Sequence, residues 1–317
     1  KMTVCQLYAK QIRHRGNVRY NTKNGRKRLM KLLEEDKLGG CPIDSVKLSD
    51  AKEWAIRMKE KGISYKTISN DKRSLKAAFY TAIQDDCIRK NPFDFQLNTV
   101  IEDDTEPKVP LTPAQEESFL SFAQNDKVYQ KYYDELIILL GTGLRISELC
   151  GLTDTDINFE NRIINVDHQL LRSAETGYYI ETPKTKSGIR QIPMSEKVYE
   201  AFNRVLKRRR GAKAVTIDGY SNFPFLNRDG YPKTATNYDG MFRGLAKKYN
   251  KYHEEALPKV MTPHTLRHTF CTNMANAGMN PKALQYIMGH SNITMTLNYY
   301  AHATFDSAKA EMLRIAA

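Results

Sequence analysis

The spacing of apolar residues leaves the helical period for a stretch of period two and then returns to it, and that interruption constrains the architecture more than any other feature. Up to about residue 97 the period is helical: Val4, Leu7, Tyr8 and Ile12 share one face, as do Leu29, Leu32 and Leu33. A longer pattern from Tyr65 to Ile83 carries Leu75, Ala78, Phe79 and Ala82 on one side. Ser49, placed before Asp50-Ala51-Lys52-Glu53 and the apolar Trp54, Ala55 and Met58, predicts a helix start. Asn91-Pro92 closes this block, and the acidic, proline-containing residues 98–110 read as a linker. Thr112-Pro113-Ala114-Gln115 then opens a second block, with Thr as N-cap, Pro at the first helical position and Gln placed for a capping box. The period shortens to two at Arg162–Val166, Tyr178–Ile180 and Arg190–Pro193, which predict short strands. Helical spacing returns at Ser195 and again from Thr262. The expected fold is mainly α with a small antiparallel sheet: a helical domain over 1–97, a linker over 98–110, and a mixed α+β domain over 111–317. The last segment of that domain, Phe305–Ile315, is patterned as an amphipathic tail helix.

Charge is divided as unevenly as period. The net charge is +13, and residues 1–100 hold 22 basic and 11 acidic side chains, so most of the excess lies in the helical block. Residues 1–33 hold ten Lys or Arg and no acidic residue. Basic density of this kind is an electrostatic footprint for a polyanion, nucleic acid or an anionic surface, and charge alone does not separate DNA from RNA. No stretch approaches the roughly 20 apolar residues that span a bilayer. The N-terminus lacks an apolar secretory segment, so a cytoplasmic protein is expected. The five cysteines are scattered without CxxC or Cys/His ligand spacing, which fits free thiols and argues against a zinc site. No metal and no cofactor is expected.

Three separated segments hold polar residues that a core would not need. In Gly141-Thr142-Gly143-Leu144-Arg145-Ile146-Ser147-Glu148, a glycine-flanked turn feeds a helix with Arg145 in its first turn and Glu148 three residues on. An arginine so placed can clamp two oxygens of one phosphate while Glu148 orients its guanidinium, although an ordinary surface Arg–Glu pair has the same spacing. In Thr262-Pro263-His264-Thr265-Leu266-Arg267-His268, a capped helix start places His264 and Arg267 on one face, where the helix N-terminus also favours an anion. His268 reads as a packing or supporting residue. In Gly289-His290…Asn298-Tyr299-Tyr300-Ala301-His302, a histidine precedes a tyrosine pair, a pattern that by itself also suits simple packing.

Taken together, Arg145, His264, Arg267, Gly289-His290 and Tyr300 resemble the tyrosine recombinase (phage integrase) family from about Thr112 to the end of the chain. The basic helical block is similar to that family's core-binding domain, and TGLRISEL, PHTLRHTF and MGHSNITMTLNYYAH resemble integrases of conjugative transposons. The resemblance implies a catalytic set of Arg145, Lys186, His264, Arg267, His290 and Tyr300, with no cofactor. Lys186 fits the family's lysine on a strand-to-strand turn, with Lys184 as the alternative. Tyr300, eleven residues after Gly289 and followed by Ala301-His302, fits the nucleophile of the transposon integrases; Tyr299, ten after, fits other relatives.

That set suits a phosphodiester. Two arginines and histidines can neutralise the anion and the charge gained in the transition state, and Lys186 can protonate the 5′-oxygen that leaves. The tyrosine, ordinarily ionising near pH 10, forms a 3′-phosphotyrosyl link that conserves bond energy for rejoining. The resemblance further implies strand exchange through a Holliday junction on double-stranded DNA by a dimer or tetramer; the amphipathic tail helix suits docking on a neighbour or packing on its own subunit. The resemblance also implies an accessory excision protein, no membrane partner, and an arm-binding domain ahead of the sequence given. The rival readings are a type IB topoisomerase, which relaxes supercoils without exchanging strands, and a DNA-binding regulator without catalysis.

Overall fold

The structure, a computed structural model, describes residues 1–16, 18–183, 185–209, 211, 214–300 and 312–313. It divides into two compact units, Lys1–Pro107 and Lys108–Ala317.

The first unit is built on four α-helices among its described residues, α1 (Val4–His14), α2 (Tyr20–Glu34), α3 (Leu48–Glu60) and α4 (Tyr65–Gln84). Its core forms where the apolar stripes meet, around Trp54, Phe79 and Phe93, with Leu29, Leu33, Met58 and Leu75 fully enclosed. Trp54 meets Phe93 edge-on with ring centroids 5.7 Å apart. The unit continues past Asn91-Pro92, because Leu97 and Ile101 join the same core and Asp104 pairs with Lys59. One local expectation fails. Ser49 does not cap α3, since the N-cap is Lys47, two residues earlier, and the Asp50 carboxylate accepts the Lys47 N–H at 2.8 Å. An aspartate reaching back from the first turn satisfies the end without Ser49.

The second unit carries α5 (Pro113–Asn125), α6 (Tyr133–Thr142), α7 (Ile146–Gly151), β1 (Ile157–Asn158), β2 (Ile163–Val166), β3 (Gln169–Ser173), β4 (Gly177–Glu181), β5 (Arg190–Pro193) and α8 (Glu196–Arg209). The helices α9 (Ala235–Tyr252), α10 (Pro263–Asn276), α11 (Pro281–Met288) and α12 (Thr294–Leu297) complete it. The capping box at Thr112 is present: its hydroxyl accepts the Gln115 N–H and the Gln115 side chain accepts the Thr112 N–H, both at 3.1 Å. The period-two stretch resolves into a three-stranded antiparallel sheet, β1-β2-β5, and a β3-β4 hairpin. Ile164 and Ile192, paired across β2 and β5, point into a core shared with Phe119, Leu139, Phe202, Tyr238 and Phe242. Strand β3 escaped the sequence reading because Gln169-Leu-Leu-Arg-Ser173 has adjacent apolar residues rather than alternation.

Two glycine C-caps aim the chain at the polar segments. α6 stops at Gly143 (φ +63°) and α11 at Gly289 (φ +60°), left-handed conformations that other residues adopt at a cost. The first cap turns the chain toward Arg145 and the second presents His290. A Cβ at Gly143 would lie 2.4 Å from the Phe270 ring and 3.0 Å from Met288 Sδ. Gly143→Ala therefore combines φ strain with overpacking and should destabilise the second unit by about 2–4 kcal/mol, seen as a lower urea midpoint at unchanged slope. A shift below about 0.5 kcal/mol would mean that the cap relaxes freely.

Candidate active site

The sequence-separated segments converge on one cavity of about 650 Å³ in the second unit, lined by Lys108, Arg145, His264, Arg267, His268, His290 and Tyr299 among others. Arg145 occupies the N-cap of α7. Its Nη1 donates to Glu148 Oε1 at 2.7 Å and its Nη2 to the Gly289 carbonyl at 3.1 Å, so the guanidinium ties α7 to the turn that bears His290. Arg267, on the second turn of α10, is buried and donates to the carbonyls of Gly143 and Met288, the residues at the ends of the two glycine-capped helices. His290 is buried with Nδ1 2.9 Å from the Thr296 hydroxyl.

Glu148 is the electrostatic centre. Its carboxylate accepts the Arg145 backbone N–H (2.8 Å), Arg145 Nη1, and both Nη1 (3.0 Å) and Nη2 (2.8 Å) of Arg190. Burial pushes its carboxyl up, but the Arg190 hydrogen bonds and charge, then Arg145 and Arg267, outweigh burial and hold it down at about 2. Three guanidiniums thus surround one carboxylate, leaving a cationic site that favours an anion. Burial lowers Arg267 to about 9, helped by Arg145 and Arg190 and opposed by Glu148. His264 is brought down to about 4 by lost hydration first, then by Lys108, His268 and the two cavity arginines. His290 is likewise about 4 from burial, then Arg267, Arg145 and Arg190. Both histidines are therefore neutral at neutral pH and can donate or accept a hydrogen bond.

The two tyrosines part company. Tyr299 faces the cavity, its Oη sharing a 2.9 Å hydrogen bond with His268 Nδ1. Burial, then Cys271, pushes Tyr299 up to about 12 against the opposing pull of Arg267. Tyr300, the residue favoured on spacing, turns its hydroxyl to the Met279 carbonyl and does not line the cavity. Lys186 is exposed on the β4–β5 connection and does not line it either. Lys184, His302 and the segment Phe305–Ile315, apart from Met312 and Leu313, lie outside the described residues.

Sequence reasoning gave His268 only a packing or supporting part and passed over Arg190. His268 had a signal, since His264, His268, Thr272 and Asn276 recur every four residues along one face of α10 and all line the cavity. Arg190 had none, standing as the first residue of a strand. Its side chain is fully enclosed, and besides Glu148 it donates to the carbonyls of Ile287 (2.6 Å) and Gly188 (3.0 Å).

Among the described residues, one group with metal-ligand geometry exists, Asp156, Asp167 and His168. His168 Nδ1 faces Asp167 Oδ1 at 2.5 Å and its Nε2 faces the Gly151 carbonyl at 2.6 Å. Both ring nitrogens are engaged, so the group reads as a tie between the β2–β3 junction and the end of α7. Among the described residues, no helix is long and apolar enough to cross a membrane.

The profile of the phage integrase family matches residues 110–307, the stretch that holds nearly all of the cavity lining. The chain belongs to this family, the tyrosine site-specific recombinases. Within it, the chain is 69% identical over 315 residues to the transposase from transposon Tn916 of Enterococcus faecalis, covering 99% of this chain and 78% of that one. It is also similar to the solved Tn1549 transposon integrase in complex with a circular intermediate DNA. There the identity is 77% and the TM-score 0.94, covering 99% of this chain and all of the other. A complex of the same integrase with transposon right-end DNA matches at 78% identity and a TM-score of 0.93, over the full length of both.

Proposed function

We propose that this protein cuts and rejoins double-stranded DNA at the ends of a conjugative transposon, through a 3′-phosphotyrosyl intermediate formed on Tyr299. The observation that carries the reading is the presence of Tyr299 Oη in the same cavity as Arg145, His264, Arg267 and His290. Arg145 and Arg267 neutralise the non-bridging oxygens of the scissile phosphate, and the neutral His264 and His290 complete the cradle. Tyr299 Oη bonds to phosphorus as the bond to the 5′-oxygen breaks. Lys186 protonates that oxygen from the exposed β4–β5 connection, which bound DNA has to bring over the phosphate. Tyr299 is preferred to Tyr300 on geometry. The Tn1549 integrase complexes include variants with one arginine and one tyrosine replaced, and those two residues stand as far apart in sequence as Arg145 and Tyr299 do here.

The division of labour follows the charge. The helical unit, which its core carries past residue 97 to Pro107, grips DNA phosphates, and the unit from Lys108 onward performs the chemistry. Affinity therefore falls steeply with salt. The protein works in the cytoplasm as a dimer or tetramer on DNA, with an accessory excision protein as a further partner. Nicked duplex carrying a transposon end should trap a covalent adduct in EDTA without ATP, and peptide mapping should find it on Tyr299. An adduct on Tyr300 would restore the assignment made from spacing. DNA-bound, folded protein that forms no adduct would point instead to a regulator.

A further inference from the structure

We propose that His268 is the base that takes the proton of Tyr299 during DNA cleavage. The proposal rests on the reading of Tyr299 as nucleophile and adds a catalytic residue to it. Tyr299 Oη lies 2.9 Å from His268 Nδ1, with ring centroids 5.4 Å apart, within the distance that proton transfer requires. His264, placed with the arginines around the phosphate, sits edge-on to His268 with ring centroids 5.1 Å apart. His268 thus touches both His264 and the nucleophile.

Its surroundings suit a base. The charged and titratable groups around it are Lys108 from the segment before α5, His264 and Arg267 from α10, His290 from the turn after α11, and Tyr299 itself. Burial first, then Lys108 and Arg267, keep the imidazole below its ordinary value, so it is neutral at neutral pH and has a lone pair to offer. Tyr299, pushed up to about 12, is not ionised beforehand, so its proton has to leave as the oxygen–phosphorus bond forms. Atoms and charges balance in that step: the Oη proton passes to the imidazole, the P–O5′ bond breaks, and the 5′-oxygen receives a proton from Lys186. The imidazolium so formed faces Lys108 and Arg267, two cations that favour its return to the neutral form. It therefore gives the proton back to Tyr299 when an incoming 5′-hydroxyl displaces the tyrosine, which makes cleavage and rejoining mirror images.

The test is the pH profile of single-turnover adduct formation on nicked duplex at saturating protein. For the parent a flat rate is expected from neutral pH upward. His268→Gln, which keeps a planar polar side chain, should be slower by about 100-fold at neutral pH and should regain rate in proportion to hydroxide as pH rises. His268→Gly should show the same defect and recover with millimolar imidazole, which has room to replace the missing ring. A defect equal at every pH and unmoved by imidazole, or no defect, would overturn the proposal. If the parent's adduct maps to Tyr300, the underlying assignment of the nucleophile has failed, and that is read from the peptide map independently of the variants' profiles.

Discussion

Tyr299→Phe should abolish the covalent DNA adduct, a loss of roughly 10⁴-fold or more in single-turnover cleavage, because nothing replaces the attacking oxygen. Tyr300→Phe, one residue away, should keep cleavage within a few-fold of the parent. The contrast follows from where the two hydroxyls go. Tyr299 opens onto the cavity with Arg145 and Arg267, whereas the Tyr300 hydroxyl is tied to the Met279 carbonyl. Losing that second bond removes one hydrogen bond to a carbonyl, worth about 1 kcal/mol of stability and nothing in chemistry. DNA affinity should be unchanged in both variants, since binding energy comes from cationic contacts that neither touches. The measurement is adduct yield against time on nicked duplex, beside a binding titration at fixed salt. A silent Tyr299→Phe with a dead Tyr300→Phe would invert the assignment.

The two tyrosines also mark where the sequence stopped being legible. Arg145, His264, Arg267 and His290 were singled out in advance only by the resemblance of the three segments taken together, and the structure lines one cavity with all four because local signals fix the backbone beside each. Gly143 ends α6 before Arg145, Thr262-Pro263 starts α10 before His264 and Arg267, and Gly289 ends α11 before His290. Caps are local physics, readable from neighbouring residues. Tyr299 and Tyr300 come after α12, a four-residue helix, and adjacent positions there point in different directions. Which one faces the arginines depends on how Met279, His268 and the end of α11 pack, and that is tertiary information. Lys186 could be placed on a strand-to-strand turn from the pattern, but its distance from the phosphate depends on what that turn does when DNA is bound. The helical stripes of the first unit were legible almost to the residue. Strand β3 was not, since its Leu170 and Leu171 sit side by side.

Arg190 was invisible to pattern reading, yet its removal should have the second large effect. Arg190→Met deletes one partner of a buried ion pair and leaves Glu148 with the Arg145 hydrogen bonds and the more distant charge of Arg267, while the Ile287 and Gly188 carbonyls lose their donor. Destabilisation of about 3–5 kcal/mol is expected, because a buried carboxylate that loses its two-pronged partner, beside two orphaned carbonyls, costs more than the pair contributed. Arg190→Lys should recover only part, since an ammonium cannot reproduce the two-pronged contact with Glu148 while also reaching both carbonyls. Cleavage should fall with stability, because the same carboxylate orients Arg145 and the same turn presents His290. The pH dependence gives the sharper check. Glu148 is held at about 2 in the fold against an ordinary 4.5, so its contribution is complete above the ordinary value and is lost as pH falls toward 2. Arg190→Met removes the largest lowering influence and leaves burial to push the carboxyl up. The stability gap between parent and variant should therefore be full at about pH 7 and narrow markedly by about pH 3. Urea unfolding at both pH values reads it directly. An equal gap at the two would mean that Arg190 stabilises the fold by packing, and that Glu148 does not depend on it for its charge.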